Sequence, residues 1–386
     1  MRVLFVVLVL GLGSLAAADW QEAVNLGRVV NTGSGEWYPM LPEDGSYMIF
    51  VSDRTGGYGQ TDLYISYRIG GEWQEPQNMG PNVNSSTMES APSIAYGDSV
   101  LYFASFAAGG QGGMDIWYCP LENGVAGPKV NMGSEINGGA LDCCPVLSPD
   151  GMSFYICSDR AGGFGEMDVW GFDWEGEGWG PAYNLGRDVN SAATDCPRWI
   201  TADGHTLLLS TTRSGGLGSS DLWYTEWSGT AWRPVVNLGP PINSSAEEWG
   251  PDFLDNAGAV GGVIYFGSSR SGGQGGRDIW FSREETSDVE TEPSAGGTLR
   301  AFPNPQSTTT CVTYELDRPA EVALRIFGLQ GRLIRTLVDR HQRAGAHAIE
   351  WDGAADDGTQ VAEGVYFCEM RIGEKREGTR WVVARR

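Results

Sequence analysis

Histidine is scarce in this sequence, with three in 386 residues, and only His205 precedes residue 300. A mixed Cys/His zinc site or a His-activated nucleophile therefore has few residues to draw on. The seven cysteines are an odd number and show no dense disulfide pattern. We expect neither a Ser-His-Asp set nor a cofactor.

Basic residues are also few, 26 against 49 acidic ones, which gives a net charge of −23. The imbalance lies in residues 19–298, with 12 basic and 37 acidic residues, whereas residues 299–386 hold 13 and 12. The acidic part would repel phosphates, so nucleic acid is excluded as its partner. Such a charge also helps to keep an exported protein in solution.

Long apolar runs are absent beyond the N-terminus. Residues 1–18 contain Arg2, an apolar run over 3–12, and alanines at 16–18 as a cleavage site, which predicts a signal peptide that is removed before Asp19. No later stretch approaches the 18 apolar residues of a membrane span, so we expect no transmembrane segment after cleavage. The predicted location is secreted or cell-surface, after export through the periplasm.

A repeat of 53 residues fills the next part of the chain. An N-[LM]-G triplet begins at each of five asparagines: Asn25, Asn78, Asn131, Asn184 and Asn237. Each copy holds four strand-like runs separated by turn signals, which is typical of a propeller blade. We predict an all-β chain with a five-bladed β-propeller over 19–285. The segment WQEAVNLG (20–27) is predicted to close the last blade by supplying its outer strand.

A glycine-rich loop such as SDRTGGYGQTD (52–62) recurs in each copy. It is not a P-loop, because no Lys-Ser/Thr follows and the next residues favour a strand. The aspartate that ends each loop can accept hydrogen bonds from the loop backbone. We predict structural loop caps at Asp62, Asp115, Asp168, Asp221 and Asp278.

The stretches SDRTGGYGQTDLYIS, SDRAGGFGEMDVW, SRSGGQGGRDIWFS, NLGRVVN and NMGPNVN resemble the repeats of TolB-like (PD40, WD40-like) propellers over about residues 20–285. This resemblance implies a propeller that serves as a binding or scaffolding module in a bacterial envelope. Blade two departs from the pattern, with Phe106 and Ala107 where other copies have Asp-Arg or a similar pair.

Residues 286–298 have the composition of a linker, and residues 299–386 alternate apolar and polar runs, as expected for a small β-sandwich of about seven strands. The pieces FPNP (302–305), GRLIRTL (331–337), AGAHAIEWDG (344–353), DGTQVAEGVYF (357–367) and RWVVARR (380–386) resemble the FlgD Ig-like fold and the type A sorting domain of type IX secretion cargo. The resemblance implies the type IX machinery as a partner of residues 299–386. A plain Ig-like adhesion module is the alternative.

Five acidic residues stand in step just before each blade's first strand, which is the innermost one in a propeller: Glu36, Glu89, Asp142, Asp195 and Glu248. They are a candidate ring that binds a cation, with Ca²⁺ as a candidate, or a cationic ligand. The alternative is pairing between blades with the recurring Arg54, Arg160, Arg213 and Arg270. Blade two has Ala107 in place of the arginine, so an unpaired charge near Glu89 or Asp142 would mark the ligand entrance.

Three tryptophans beside these acids lie at inexact repeat positions, Trp37, Trp199 and Trp249, and are candidates for stacking on sugars. Because the acids obey the repeat, they resemble equivalent structural groups more than the differentiated acids of a glycosidase. We therefore predict a non-catalytic module that recognises an extracellular glycan or an envelope protein. A secreted propeller glycoside hydrolase or sialidase-like enzyme and a structural envelope scaffold are the alternatives.

Overall fold

The structure is a computed structural model that describes residues 20–42, 44–95, 98–201, 203–254, 262–285, 300–302, 310–316, 318–328, 333–356, 358–361, 364–372 and 375–383. Among them, residues 20–285 belong to one compact unit and residues 300–383 to a second. Regular structure within these ranges is β-strand alone. None of the described residues forms a helix that is long and apolar enough to cross a membrane.

Five antiparallel sheets, the blades, make up the first unit. The first strand, β1 (Val24–Asn25), belongs to blade five. Blade one is β2 (Glu36–Met40), β3 (Tyr47–Ser52) and β4 (Asp62–Ile69), with β5 (Glu72–Trp73) and β6 (Gln77–Asn78) on β4. Blade two is β7 (Glu89–Ile94), β8 (Val100–Ser105) and β9 (Asp115–Glu122), with β10 (Val125–Ala126) and β11 (Val130–Asn131) on β9.

The remaining three blades have four strands each. Blade three is β12 (Asp142–Leu147), β13 (Ser153–Ser158), β14 (Asp168–Asp173) and β15 (Tyr183–Asn184). Blade four is β16 (Asp195–Ile200), β17 (Thr206–Thr211), β18 (Asp221–Glu226) and β19 (Val236–Asn237). Blade five is β20 (Glu248–Leu254), β21 (Val263–Ser268), β22 (Asp278–Arg283) and β1.

Strand β1 closes the ring. Val24 pairs with Phe281 and Asn25 with Trp280 on β22, so the N-terminal segment is the outer strand of the last blade. The predicted five-bladed propeller and its closure are confirmed. Pairing this edge covers backbone groups that would otherwise be open to another chain.

Apolar side chains between neighbouring blades hold the ring together. The fourth residue of each second strand is fully buried: Phe50, Phe103, Ile156, Leu209 and Phe266. Burying a side chain of this size stabilises the fold by about 1.5–3 kcal/mol. One of the clusters joins Phe50 of blade one to Leu254 and Tyr265 of blade five, so the last interface of the ring is packed like the others.

The innermost strands carry a bulge that differs in one blade. In four blades the residue two positions after the acid has a positive φ: Tyr38, Ala91, Cys144 and Gly250. Blade four has Pro197 there, and proline cannot adopt a positive φ. Its register shift falls between Pro197 and Trp199, which leaves Arg198 as the bulged residue.

The second unit is a two-sheet sandwich. One sheet contains β23 (Arg300–Phe302), β24 (Thr310–Leu316) and β27 (Gly345–Trp351), and the other β25 (Ala320–Gly328), β26 (Leu333–Gln342), β28 (Gly364–Ile372) and β29 (Lys375–Val383). Val312 and Trp351 of the first sheet pack with Leu324 and Met370 of the second. The predicted Ig-like sandwich is confirmed. Cys368 is buried, and the side chain of Cys311 lies outside the described residues.

Candidate functional site

The glycine-rich loops are built around their closing aspartates. In blade one, Asp62 accepts hydrogen bonds from the backbone N–H of Tyr58 at 2.6 Å and of Gly59 at 3.1 Å, and from the Asn78 amide at 3.0 Å. The other aspartates predicted as caps accept the same three kinds of bond: Asp115, Asp168, Asp221 and Asp278. The loop motif thus has a structural role, and the predicted loop caps accept the hydrogen bonds expected of them.

The last shared glycine of each loop touches the segment that leads into the next blade, here called the crossover loop. A Cβ on Gly59 would lie 2.0 Å from the Thr87 carbonyl oxygen, and one on Gly275 would lie 1.9 Å from that of Ser34. The two loop types therefore pack together at one end of the blades. We call this end the loop face.

The five repeated acids are inside the protein. Glu36, Glu89, Asp142, Asp195 and Glu248 are all 0% exposed. Glu36, for example, accepts bonds from the Thr32 N–H at 2.8 Å, the Thr32 hydroxyl at 2.7 Å and the Ser52 hydroxyl at 2.9 Å. An open cation ring at the channel mouth does not agree with this burial, since the oxygens face protein donors.

The repeated arginines provide the charge partners. Arg54, Arg160, Arg213 and Arg270 pair with Glu36, Asp142, Asp195 and Glu248 respectively. The pairs lie within single blades, and not between blades as the alternative expected. The same guanidinium also donates to the crossover loop, as Arg54 does to the Val30 carbonyl at 2.8 Å. Each pair therefore fastens a crossover loop to the blade that follows it.

Blade two, which lacks this arginine, uses a lysine instead. The Lys129 ammonium donates to the Val83 carbonyl at 2.8 Å, the counterpart of the bond between Arg54 and Val30. Burial lowers the pKa of Lys129, and the nearby charge of Glu89 acts in the opposite direction. Asp142 pairs with Arg160, so it is not the unpaired acid. Glu89 forms no ion pair within the described residues, and a ligand entrance near it stays a prediction.

The three candidate sugar-stacking tryptophans are half-buried and already in contact with protein groups. The Arg277 guanidinium lies 5.5 Å from the centre of a Trp37 ring, and Trp199 packs edge-on against Phe253 with ring centres 5.4 Å apart. The indole N–H of Trp249 is buried without a hydrogen-bond partner. The structure does not bring the three together as an open platform.

A cluster of four cysteines, here called the axial thiol cluster, lies where the innermost strands meet. Cys143 and Cys144 come from β12, Cys157 from β13 and Cys196 from β16. The sulfurs of Cys157 and Cys196 are 2.7 Å apart, and those of Cys143 and Cys144 are 3.3 Å apart. The sulfurs of Cys143, Cys144 and Cys157 all lie within 4.8 Å of one another.

A buried arginine accompanies the thiols. Arg198 is 8% exposed, its Nε has no hydrogen-bond partner, and its guanidinium lies 4.0 Å from the centre of the Tyr38 ring. In the part of the chain that the structure describes, it forms no ion pair with a carboxylate. The pKa of Arg198 is raised overall. Burial alone would lower it, but the negative charge available on Cys144 and Tyr38 has the larger, opposite effect.

The pKa values of the cysteines are also shifted by burial and by their neighbours. Burial works to raise the pKa of Cys144, but hydrogen bonds from the other three thiols and the charge of Arg198 lower it well below its ordinary value. Hydrogen bonding with Cys144 raises the pKa of Cys143, and burial raises that of Cys157. Among Cys143, Cys144 and Cys157, the lowered pKa makes Cys144 the sulfur most disposed to be a thiolate.

Sequence reasoning missed this cluster because it sought a mixed Cys/His site. The available signal was the shared repeat position of Cys143 and Cys196, 53 residues apart. Cys157 and Arg198 follow no repeat, so their convergence with this pair depends on blades three and four being neighbours.

One acid departs from the repeat. Asp252 on β20 is 2% exposed and accepts the Leu41 N–H at 2.6 Å, a contact between blades five and one. Burial raises its pKa from 3.8 to about 7.

The loop face carries exposed apolar groups. One position of the glycine-rich loop holds Tyr58, Phe164 and Leu217 in three blades, with exposures of 52%, 37% and 52%. Phe106 and Leu141, from neighbouring loops of the same face, are also exposed. Exposed apolar groups gathered on one face are typical of binding surfaces.

Residues 302–372 match the family of FlgD Ig-like domains. The basal-body rod modification protein FlgD of Salmonella typhimurium is 43% identical over 61 residues, which cover 16% of this chain and 26% of FlgD. The C-terminal unit is a FlgD Ig-like domain. FlgD of Salmonella typhi matches to the same extent, so the chain spans 26% of the length of these curated relatives.

Solved propellers resemble the larger part of the chain. TolB from Acinetobacter baumannii has 15% sequence identity and a TM-score of 0.40, covering 67% of this chain and 56% of TolB. The catalytic domain of the Coprinopsis cinerea GH62 α-L-arabinofuranosidase has 10% identity and a TM-score of 0.46, covering 71% and 99%. At these values the likeness carries no conclusion about activity.

Proposed function

We propose that this protein is a non-catalytic recognition module that binds a partner protein of the cell envelope or its surroundings through the loop face. The observation that carries this proposal is the exposure of Tyr58, Phe164 and Leu217 at one repeated loop position. Exposed apolar groups gathered on one face mark interaction sites, and aromatic anchors such as tyrosine supply much of the binding energy in protein interfaces.

The opposite end of the blades provides a comparison. Strand β4 is eight residues long, beginning at Asp62 beside the glycine-rich loop and ending at Ile69. At about 3.3 Å per residue, the two ends lie roughly 25 Å apart. Ile69 and Val125 are exposed at that far end, on separate hairpin turns of blades one and two. They therefore offer matched positions for control substitutions.

A protein ligand is favoured over a glycan. Sugar recognition by stacking needs free aromatic faces, and Trp37, Trp199 and Trp249 are occupied or half-buried. The loop face instead mixes aromatic residues with the aliphatic Leu141 and Leu217. Glycan binding would have to use Tyr58 and Phe164, and the Arg187 guanidinium already lies 4.4 Å from the centre of the Phe164 ring.

A glycosidase needs two carboxyl groups that flank the bond to be cleaved. The five repeated acids are 0% exposed and hydrogen-bonded to protein groups. Asp252, the acid that does not follow the repeat, is buried against the Leu41 backbone. These observations support binding over catalysis.

Export and sorting belong to the same proposal. The N-terminal segment would direct export and be removed, and the FlgD Ig-like domain would act as a sorting signal for the type IX machinery. The mature protein, isolated from its own cells, should begin at Asp19. Removing residues 299–386 should leave it in the periplasm, whereas an unchanged surface location would favour the adhesion alternative.

The activity classes can be separated with the purified full chain. A panel of labelled polysaccharides is tested for both turnover and saturable binding, and an immobilised chain is tested for capture of envelope proteins. We expect no turnover, and capture of a defined protein that is lost in a Tyr58→Ala/Phe164→Ala/Leu217→Ala variant but kept in an Ile69→Ala/Val125→Ala variant. Polysaccharide turnover would contradict the proposal, and saturable glycan binding alone would identify the ligand as a sugar.

A further inference from the structure

We propose that Cys143, Cys144, Cys157 and Cys196 bind one soft metal ion, with Zn²⁺ as the first candidate, at the axis of the propeller. This site is independent of the loop face. Four thiolates are a complete ligand set for a structural zinc ion, and no histidine is needed. The scarcity of histidine in the sequence therefore does not argue against a metal site of this kind.

The geometry brings three of the four sulfurs together and places the fourth, that of Cys196, against Cys157. A tetrahedral zinc ion lies about 2.3 Å from each sulfur, which places the sulfurs roughly 3.8 Å from one another. The Cys157–Cys196 and Cys143–Cys144 sulfurs are 2.7 and 3.3 Å apart, so each of these pairs needs to separate by about 1 Å or less. Cys196, which lies outside the group of three sulfurs within 4.8 Å of one another, needs to move toward Cys143 and Cys144. The ligands come from two adjacent blades, and an ion would thus join β12 and β13 to β16.

Charge supports the same conclusion. A divalent ion with four thiolates carries a net charge of −2, and a buried anion of this kind needs a cation close by. Arg198 is the buried cation of this region, and no described carboxylate pairs with it. Pro197 displaces the bulge of β16 and thereby makes Arg198 the bulged residue.

The burial of the axial thiol cluster also suits a structural metal ion. Cys144, Cys157 and Cys196 are buried, whereas Cys143 is partly exposed and gives an ion a way in. Sulfur ligands select zinc or copper(I) over calcium and magnesium, which take oxygen. The oxygen atoms of the five repeated acids are, by contrast, occupied by protein donors.

The test measures bound metal in the purified full chain by mass spectrometry of the elements. We expect about one zinc per chain in the wild type and in Cys119→Ser, which alters a buried thiol of blade two outside the cluster. Cys144→Ser and Cys143→Ser should lose it. Cobalt(II) in place of zinc should give the strong absorption of thiolate-to-cobalt charge transfer, and the two cluster variants should weaken it.

Folding is checked separately, since a cluster variant could fail to fold. A chelator should lower the melting temperature of the wild type and of Cys119→Ser by the same amount. Peptide mapping without reductant then decides the remaining cases. A Cys157–Cys196 disulfide in metal-free protein would overturn the proposal. Four free thiols in a protein without bound metal would also overturn it, and so would zinc that stays bound in both Cys144→Ser and Cys143→Ser.

Discussion

The Lys129 ammonium donates to the Val83 carbonyl at 2.8 Å, where guanidinium groups reach the equivalent carbonyl in the other four blades. The lysine comes from a different part of its blade than those arginines do, 22 positions beyond Ala107. In every blade a cationic side chain therefore holds the crossover loop at this carbonyl, and the source of the cation varies.

Moving the cation of blade two from position 129 to position 107 tests this role. Lys129→Ala should lower the free energy of unfolding by about 1.5–3 kcal/mol, because the Val83 carbonyl loses its charged hydrogen-bond donor. Adding Ala107→Arg to this variant should restore most of the loss, whereas Ala107→Met should not. Chemical denaturation measures all three, and equal stabilities of the two double variants would contradict the interpretation.

The closing interface of the ring can be probed with two adjacent glycines. A Cβ on Gly275 would lie 1.9 Å from the Ser34 carbonyl oxygen, but one on Gly276 meets nothing within 4 Å. Gly275→Ala should therefore cost about 1–3 kcal/mol through overpacking. Gly276→Ala should stay within about 0.5 kcal/mol of the wild type. Similar melting temperatures for both variants would argue against the contact between the last loop and the first crossover loop.

Stability should depend on pH through Asp252. Its pKa is about 7 in the folded chain and 3.8 ordinarily, so the folded state holds the proton more tightly and loses stability as the pH rises from about 4 to 7. The full effect is about 4 kcal/mol.

Asp252→Asn keeps an oxygen acceptor for the Leu41 N–H and removes the titration. The variant should be more stable than the wild type at pH 8, by about 1–3 kcal/mol, and should lose that advantage at pH 4. Parallel stability profiles of the two proteins from pH 4 to 8 would show that Asp252 is not the group responsible.

Calcium should not bind at the repeated acids. Their oxygens accept bonds from backbone, hydroxyl and guanidinium donors, and dissolved ions cannot reach them. Calorimetry should give no calcium heat for the wild type or for Glu89→Gln/Asp142→Asn. Heat of calcium binding that is present in the wild type and absent in the double variant would support the hypothesis of a cation ring instead.

Much of the fold was predictable because the repeat is regular. The spacing of the N-[LM]-G triplets determines five blades, and the early Trp20 indicates that the outer strand of the last blade comes from the N-terminus. Burial of the five acids was harder to predict. Their place on the innermost strands was clear, but the hydroxyl and amide donors around them depend on how the crossover loop folds back.

The axial thiol cluster depends on deviations from the repeat, which is why periodicity could not find it. Pro197 displaces the bulge of β16 by one residue, and this places Arg198 where other blades have proline. Cys157 lies opposite Cys143 on the next strand, a pairing that is known only once the register is known.

Site-specific photo-crosslinking in the native cells tests the recognition proposal most directly. A photoreactive residue is placed at Tyr58, Phe164 or Leu217 on the loop face, and at Ile69 or Val125 at the far end of the blades. We predict one discrete protein adduct, the same from all three loop positions, and none from Ile69 or Val125. An adduct from the far end alone, or no adduct from the loop face, would contradict recognition through the loop face.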